Sequence, residues 1–144
     1  MVGSSRHWLL DEQVPPAARE TIHQGVALQS RQLTQGSDAQ DIACALYDDG
    51  DLIAGVWGRT EFQRLYVAAW WVAPAHRGQG LGAECLRRIE ALALKRGCVD
   101  ALIETLNDEA ADIAEHMGYV CVAHVHDYVP GLTRHTLLKV WQPR

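Results

Sequence analysis

A glycine-rich turn, Arg77-Gly78-Gln79-Gly80-Leu81-Gly82, stands where an apolar strand must hand over to an amphipathic helix, and this junction constrains the chain most. Upstream, Leu65 to Val72 is rich in apolar and β-favouring residues, as expected of a strand buried on both faces, and Pro74 ends its ladder by removing a donor. Downstream, Leu81, Cys85, Ile89, Leu92 and Ala93 recur at helical spacing, while Glu84, Arg87, Arg88 and Lys95 take the other faces. A helix leaves its first amides unpaired and carries partial positive charge at that end, so glycines there let an anion approach the main chain. Residues Arg77 to Ala83 therefore read as a phosphate cradle, with Arg77 adding a full charge and a forked donor.

Two familiar phosphate-binding turns do not fit. A P-loop ends in Gly-Lys-Ser/Thr, whereas Gly82-Ala83-Glu84 supplies neither the cation nor the hydroxyl. A dinucleotide-binding turn needs a third glycine where Ala83 stands, and it usually lies near the start of its domain.

The 144 residues suit one domain with its own core. The longest apolar run, Val67 to Pro74, is too short to span a bilayer, and the N-terminus lacks the order of a secretory signal. A soluble, cytoplasmic protein with no membrane partner is expected. Cys44, Cys85, Cys98 and Cys121 stand apart inside apolar patterns, without paired metal spacing, and read as buried thiols. A net charge of −5 with no basic run argues against nucleic acid and suits a cationic amine as partner.

Along the chain, His7 to Leu10 is a possible short strand, and Pro15-Pro16 opens a weakly amphipathic helix over Ala17 to Leu33, with Ile22, Val26 and Leu33 on one face. Ile42 to Tyr47 and Leu52 to Gly58 flank Asp48-Asp49-Gly50-Asp51, a hairpin signal, and a turn over Thr60 to Arg64 leads into the strand before the cradle. After the Gly80 to Arg96 helix come a strand over Val99 to Leu106 and a helix over Glu109 to Met117, capped by Asn107-Asp108. Strands over Tyr119 to Val125 and His135 to Val140 follow, joined by a polar turn from Asp127 to Arg134. The expected fold is one α/β (α+β) domain over residues 1–144: a mixed, mostly antiparallel sheet of about six or seven strands, with a parallel central crossover and flanking helices.

The Arg77 to Gly82 turn, after a strand closing on Val72-Ala73-Pro74, resembles the Arg/Gln-x-x-Gly-x-Gly/Ala signature of the GNAT superfamily of N-acetyltransferases, and the order of elements from Ile42 to Val140 resembles it too. The resemblance implies acetyl-coenzyme A as co-substrate and no metal. Its pyrophosphate would lie on Arg77, Gly78, Gln79, Gly80, Leu81, Gly82 and Ala83, and its pantetheine arm beside Trp70, Trp71 and Val72. The family's strand bulges, which would turn an amide near Trp71 or Val72 toward the thioester carbonyl. Asn107 matches the asparagine that holds the cofactor arm in many members; equally, asparagine there caps a helix whatever binds. Related domains frequently pair as homodimers.

Amide formation needs a neutral amine, so some group must accept its proton. Here the chain departs from the family, with Ala114 where many members carry a tyrosine acid and Leu102 where many carry a glutamate base. Glu104 shares a strand face with Leu102 under regular pairing, and a carboxylate there needs a wet cleft or a cation; it is the candidate base, with a structural ion pair as the plainer reading. Tyr128 is the candidate acid or an acceptor-pocket residue, with a loop-packing tyrosine as the plainer reading. His76 could touch phosphate, Glu61 and Asp127 are further bases, and Trp57 and Trp70 could line an acceptor site. Alternation puts His124 and His126 on one face, a spacing that can hold a metal, but no third ligand is evident.

The sequence thus points to acetyl transfer onto a primary amine of a small molecule or peptide by direct attack. Two rivals are a module that binds acyl-coenzyme A without turnover, motivated by Ala114 and Leu102, and a dehydrogenase-type nucleotide fold, which Ala83 disfavours.

Overall fold

The structure, a computed structural model, describes residues 3–36 and 38–144. Two compact units divide at residue 37. In the first, helix α1 (Pro16–Thr34) begins at the proline pair, whose fixed φ and missing donor suit a first helical turn. It ends at Gln35, in the left-handed region with φ 58°, where the Gly36 amide reaches back to the Arg31 carbonyl at 3.0 Å. The expected strand at His7 to Leu10 does not form; the segment is irregular, since the described residues of this unit hold no second strand to pair with it.

In the second unit, β1 (Gln40–Asp48), β2 (Asp51–Glu61) and β3 (Arg64–Val72) form the expected antiparallel meander. Asp49 and Gly50 both take positive φ, the turn whose twist matches a hairpin. Phe62 and Gln63 make the second turn in the same way without a glycine. A short 3₁₀ turn (Pro74–His76) and helix α2 (Leu81–Lys95) then lead to β4 (Asp100–Thr105), which pairs parallel with β3. Helix α3 (Asp108–His116) and the hairpin of β5 (Val120–Val129) and β6 (Leu132–Val140) complete a six-stranded sheet of order β1-β2-β3-β4-β6-β5. The β5–β6 turn is only Pro130-Gly131, much shorter than the expected Asp127 to Arg134, because both strands continue into that polar stretch.

The core lies on one face of this sheet. Val56, Leu65, Ile103 and Leu137 from the strands meet Cys85, Leu86, Ile89 and Ala93 of α2, and Ala111 and Ala114 of α3. Leu92, expected in that face, falls at its edge and is 40 % exposed. Glu90 takes an inward position instead and is satisfied there by the Tyr119 hydroxyl at 2.8 Å and the Lys139 ammonium at 3.2 Å. Burial, then the Glu90 charge, pushes the Tyr119 hydroxyl far above its ordinary range. Of the four thiols, Cys85 and Cys98 are buried, and burial raises both above the usual thiol value. Cys44 and Cys121, expected to be buried, are only half-buried. No helix among the described residues is long and apolar enough to cross a membrane.

Candidate active site

Strand β3 does not keep its neighbours along its whole length. Its parallel pairing with β4 runs from Arg64 opposite Asp100 to Val67 opposite Ile103 and then stops. On the other side Trp57 faces Ala69 while Gly58 faces Val67, so Ala68 is an inserted residue and the strand bulges there. Only glycine permits this at position 58, since a Cβ would sit 1.8 Å from the Tyr66 carbonyl oxygen. The resemblance implies a bulge in this strand that turns an amide near Trp71 or Val72; the bulge itself lies at Ala68. Beyond Val67 the β4-facing edge of β3 has no partner strand, which leaves main-chain donors and acceptors along a cleft. For this reason β3 is not buried on both faces as expected: Leu65 is, but Ala68, Ala69 and Trp71 are exposed.

The cleft has two confluent halves, of about 430 and 440 Å³, that share Trp70, Trp71, Asn107 and Ala110. The first is bounded by the end of β3 and the opening turns of α2 and α3, and the structure brings together there Trp70, Trp71, Val72, Arg77, Gly78, Gly80, Leu81, Gly82, Ala83 and Asn107. Gln79, expected in the cradle, is exposed and does not line it. His76 is half-buried and does line it.

The three glycines answer to different constraints. Gly78 and Gly80 have φ of 79° and 77°, where a side chain is strained. Gly82 has an ordinary φ, but a Cβ there would meet Val72 Cγ2 at 3.3 Å and Trp70 Nε1 at 3.5 Å. The Trp70 indole N–H donates to the Gly82 carbonyl at 2.9 Å and so pins the helix start to the strand. Arg77 Nε donates to the Val72 carbonyl at 3.0 Å, which secures the turn and leaves the rest of the guanidinium exposed. Glu84, an anion beside the cradle, is engaged by Arg88 at 2.9 Å and Arg87 at 2.7 Å, hydrogen bonds that hold its carboxyl below the usual value. With an α-helix opening on glycine at positive φ and the Glu84 charge engaged by Arg87 and Arg88, the cradle fits a pyrophosphate, and Glu109 is the acidic residue that lines the same half at the start of α3.

Asn107 caps α3, its Oδ1 accepting from the Glu109 amide at 2.9 Å and the Ala110 amide at 3.2 Å. That leaves its Nδ2 hydrogens uncommitted. The second half of the cleft contains Glu104 and Arg134, whose side chains form an ion pair across β4 and β6. Arg134 Nη1 also donates to the Tyr128 hydroxyl at 3.3 Å. The two residues named from the sequence as base and acid thus share one partner, although Tyr128 itself does not line the cleft. The hydrogen bond to Glu104 holds the Arg134 guanidinium above its ordinary value.

Arg134 is the residue that sequence reasoning missed, and the available signal was a cation on the strand next to a carboxylate in an apolar strand. The other candidates are elsewhere. Glu61 pairs with Arg59 at 3.1 Å, near the start of β3. The Asp127 carboxylate, near the end of β5, accepts from the Gly131 amide at 3.3 Å within its own hairpin. Trp57 is exposed opposite Ala69. His124 and His126 do share a face, their rings stacked with centroids 5.6 Å apart.

A family model described as the acetyltransferase (GNAT) family matches residues 6–119. The chain belongs to that family. A GNAT chain of this kind is an acetyl-coenzyme A-dependent N-acetyltransferase, and the curated relatives it matches are named as acetyltransferases. Over 91 residues, 62 % of this chain and 67 % of the relative, it is 37 % identical to blasticidin-S acetyltransferase of Streptomyces morookaense. Among solved structures, one from Agrobacterium tumefaciens superposes with a TM-score of 0.81 at 26 % identity, covering 94 % of this chain and 99 % of that one. An acetyltransferase from Bacillus cereus has the same fold, with a TM-score of 0.83 at 22 % identity over 92 % of this chain and 97 % of its own. Against the GNAT pattern, Ala114 is fully buried in the core and Leu102 is half-buried, so neither position presents a titrating group.

Proposed function

We propose that this acetyltransferase moves acetyl from acetyl-coenzyme A to a primary amine of a small molecule by direct attack in a ternary complex, with a peptide amine as the alternative acceptor. The observation that carries this reading is the continuity of the cleft, from the glycine cradle along the unpaired edge of β3 to the Glu104–Arg134 pair. The cradle amides hold the pyrophosphate, and the open strand edge offers ladder partners to the pantetheine amides. Main-chain N–H groups of Ala68 to Trp71 are the donors for the oxyanion that forms as the amine attacks the thioester carbonyl.

Glu104 is the proposed base. An incoming cationic amine competes with Arg134 for its carboxylate, gives up a proton to it, and then forms the C–N bond as the C–S bond breaks. Tyr128, hydrogen-bonded to Arg134 and set back from the cleft lining, is the proposed acid: its proton reaches the departing thiolate through water in the cleft, and the second proton of the attacking nitrogen restores its hydroxyl by the same route. Among the described residues no cysteine lines either half of the cleft, which favours direct attack over an acyl-enzyme. The small-molecule acceptor is supported by the likeness to blasticidin-S acetyltransferase and by the net charge of −5.

Thiol release from acetyl-coenzyme A with a panel of small cationic amines and peptides tests the reading. Glu104→Gln should lower kcat by about 100-fold and flatten the acid limb of its pH profile, with little change in KM for acetyl-coenzyme A. The buried Ala114 and the apolar Leu102 favour a second reading, a module that holds acyl-coenzyme A without turnover. Tight coenzyme A binding with no amine acetylated would establish that one instead.

A further inference from the structure

On the α3 side of the sheet, away from Glu104, three side chains converge that acetyl transfer does not use. Cys121, His124 and His135 each present one ligand atom within 4.8 Å of the other two. The sequence alone placed His124 with His126 and left Cys121 out, because residues three apart on a regular strand point to opposite faces. Strand β5 is not regular there. Cys121 pairs with Leu137 and Ala123 with Thr136, so Val122 is an extra residue, and this bulge turns Cys121 and His124 to one face. His135 comes from β6, directly opposite His124 in the ladder, where cross-strand side chains stand closest.

The distances suit a shared ion. Cys121 Sγ lies 3.4 Å from Nε2 and 3.6 Å from Nδ1 of His124. Two ligands of a tetrahedral zinc, with Zn–S about 2.3 Å and Zn–N about 2.0 Å, stand about 3.5 Å apart. The His124 and His135 rings meet edge to face with centroids 5.3 Å apart. The surroundings are also those of a ligating histidine: His135 Nε2 lies 2.7 Å from the Asp108 carboxylate at the start of α3. A proton held there fixes the tautomer and leaves Nδ1 with its lone pair. Cys121 is half-buried against the core, His135 is half-buried as well and His124 is exposed, so the cluster has a packed floor and one open side at His124.

We propose that Cys121, His124 and His135 bind a divalent transition metal ion, zinc by the match of one thiolate and two imidazoles, with a coordination position left open on the solvent side. Asp108 is the positioning residue that orients His135. Three protein ligands hold zinc less tightly than a closed set of four, and the ligands must lose protons, so occupancy rises with pH.

Cobalt(II) titration of the full chain, free of any histidine tag and stripped with a chelator, reads the site directly. Expected are 1:1 binding, a thiolate-to-cobalt charge-transfer band, and displacement by zinc. The band should vanish in Cys121→Ser and persist in Cys44→Ser, whose thiol is also half-buried but outside the cluster. His135→Ala and Asp108→Asn should each weaken affinity at least about 10-fold. Absence of the band, or its persistence in Cys121→Ser, overturns the proposal. Should Cys121→Ser fold poorly, zinc-dependent elevation of Tm in the native chain and its loss in His124→Ala decide the matter, since His124 is exposed; an equal elevation in both would refute it.

Discussion

Gly80 and Gly82 are both glycines of one turn, yet they are replaceable to different degrees. At Gly80 the space around a Cβ is open, but φ of 77° strains any L side chain and the position opens α2. Gly80→Ala should therefore cost about 1 kcal/mol of stability while retaining some coenzyme A affinity. Gly80→Glu should remove binding by setting bulk and like charge against the pyrophosphate. Calorimetric titration with coenzyme A separates these outcomes, and unchanged affinity in Gly80→Glu would refute the cradle. The glycine spacing was readable because it reflects local backbone chemistry. The Arg134 partnership with Glu104 was not, since it joins residues far apart in the chain through strand order, and the contact of Arg134 with Tyr128 depends on the hairpin register.

At the scale of elements, Gly58 controls the shape of β3. With Tyr66 O only 1.8 Å from a Cβ, Gly58→Ala must push the strands apart or remove the Ala68 bulge. We expect a loss of about 3 kcal/mol, typical of overpacking with no room to relax, together with reduced activity at temperatures where the variant is still folded. Urea denaturation and steady-state kinetics measure the two. The hairpin β1–β2 was legible from Asp49-Gly50, whose turn chemistry is local, whereas the turn at Phe62-Gln63 and the two-residue turn at Pro130-Gly131 carry weaker signatures. Bulges at Ala68 and Val122 left no trace in periodicity, and each governs a site: one opens the cleft, the other assembles the Cys121 cluster. The strand expected at His7 to Leu10 failed because apolar content alone does not supply an edge to pair with.

Over the unit of residues 38–144, one buried carboxylate ties distant segments together. Asp100 accepts from Arg64 at 2.7 Å and from Arg144 at 3.1 Å, joining β3, β4 and the segment beyond β6. Burial alone would raise the Asp100 carboxyl, but hydrogen bonds from Arg64 and Arg144 outweigh it and hold it below its ordinary value of 3.8. A depressed folded value means that the stabilisation is present above the unfolded value and is lost as pH falls through and below it. The native chain should therefore lose stability steeply below about pH 4. Asp100→Asn should be about 3 kcal/mol less stable at neutral pH, and its stability should fall less steeply with acid. Urea midpoints from pH 3 to 7 test both. An identical acid slope in the variant would assign the effect to other carboxylates. Class and topology at this scale followed from the strand, glycine turn, helix and strand in series, because a parallel crossover is the ordinary way to connect them.

The short seam between β3 and β4 has a thermodynamic corollary. Four paired positions hold together two parts of one sheet, and in the proposed binding mode an amide-bearing arm laid along the vacant edge would act as the missing strand. The co-substrate would then be a component of the architecture as well as a reactant. Unzipping of that seam, read as amide hydrogen exchange at Arg64 to Val67, should slow when coenzyme A is present and quicken once it departs.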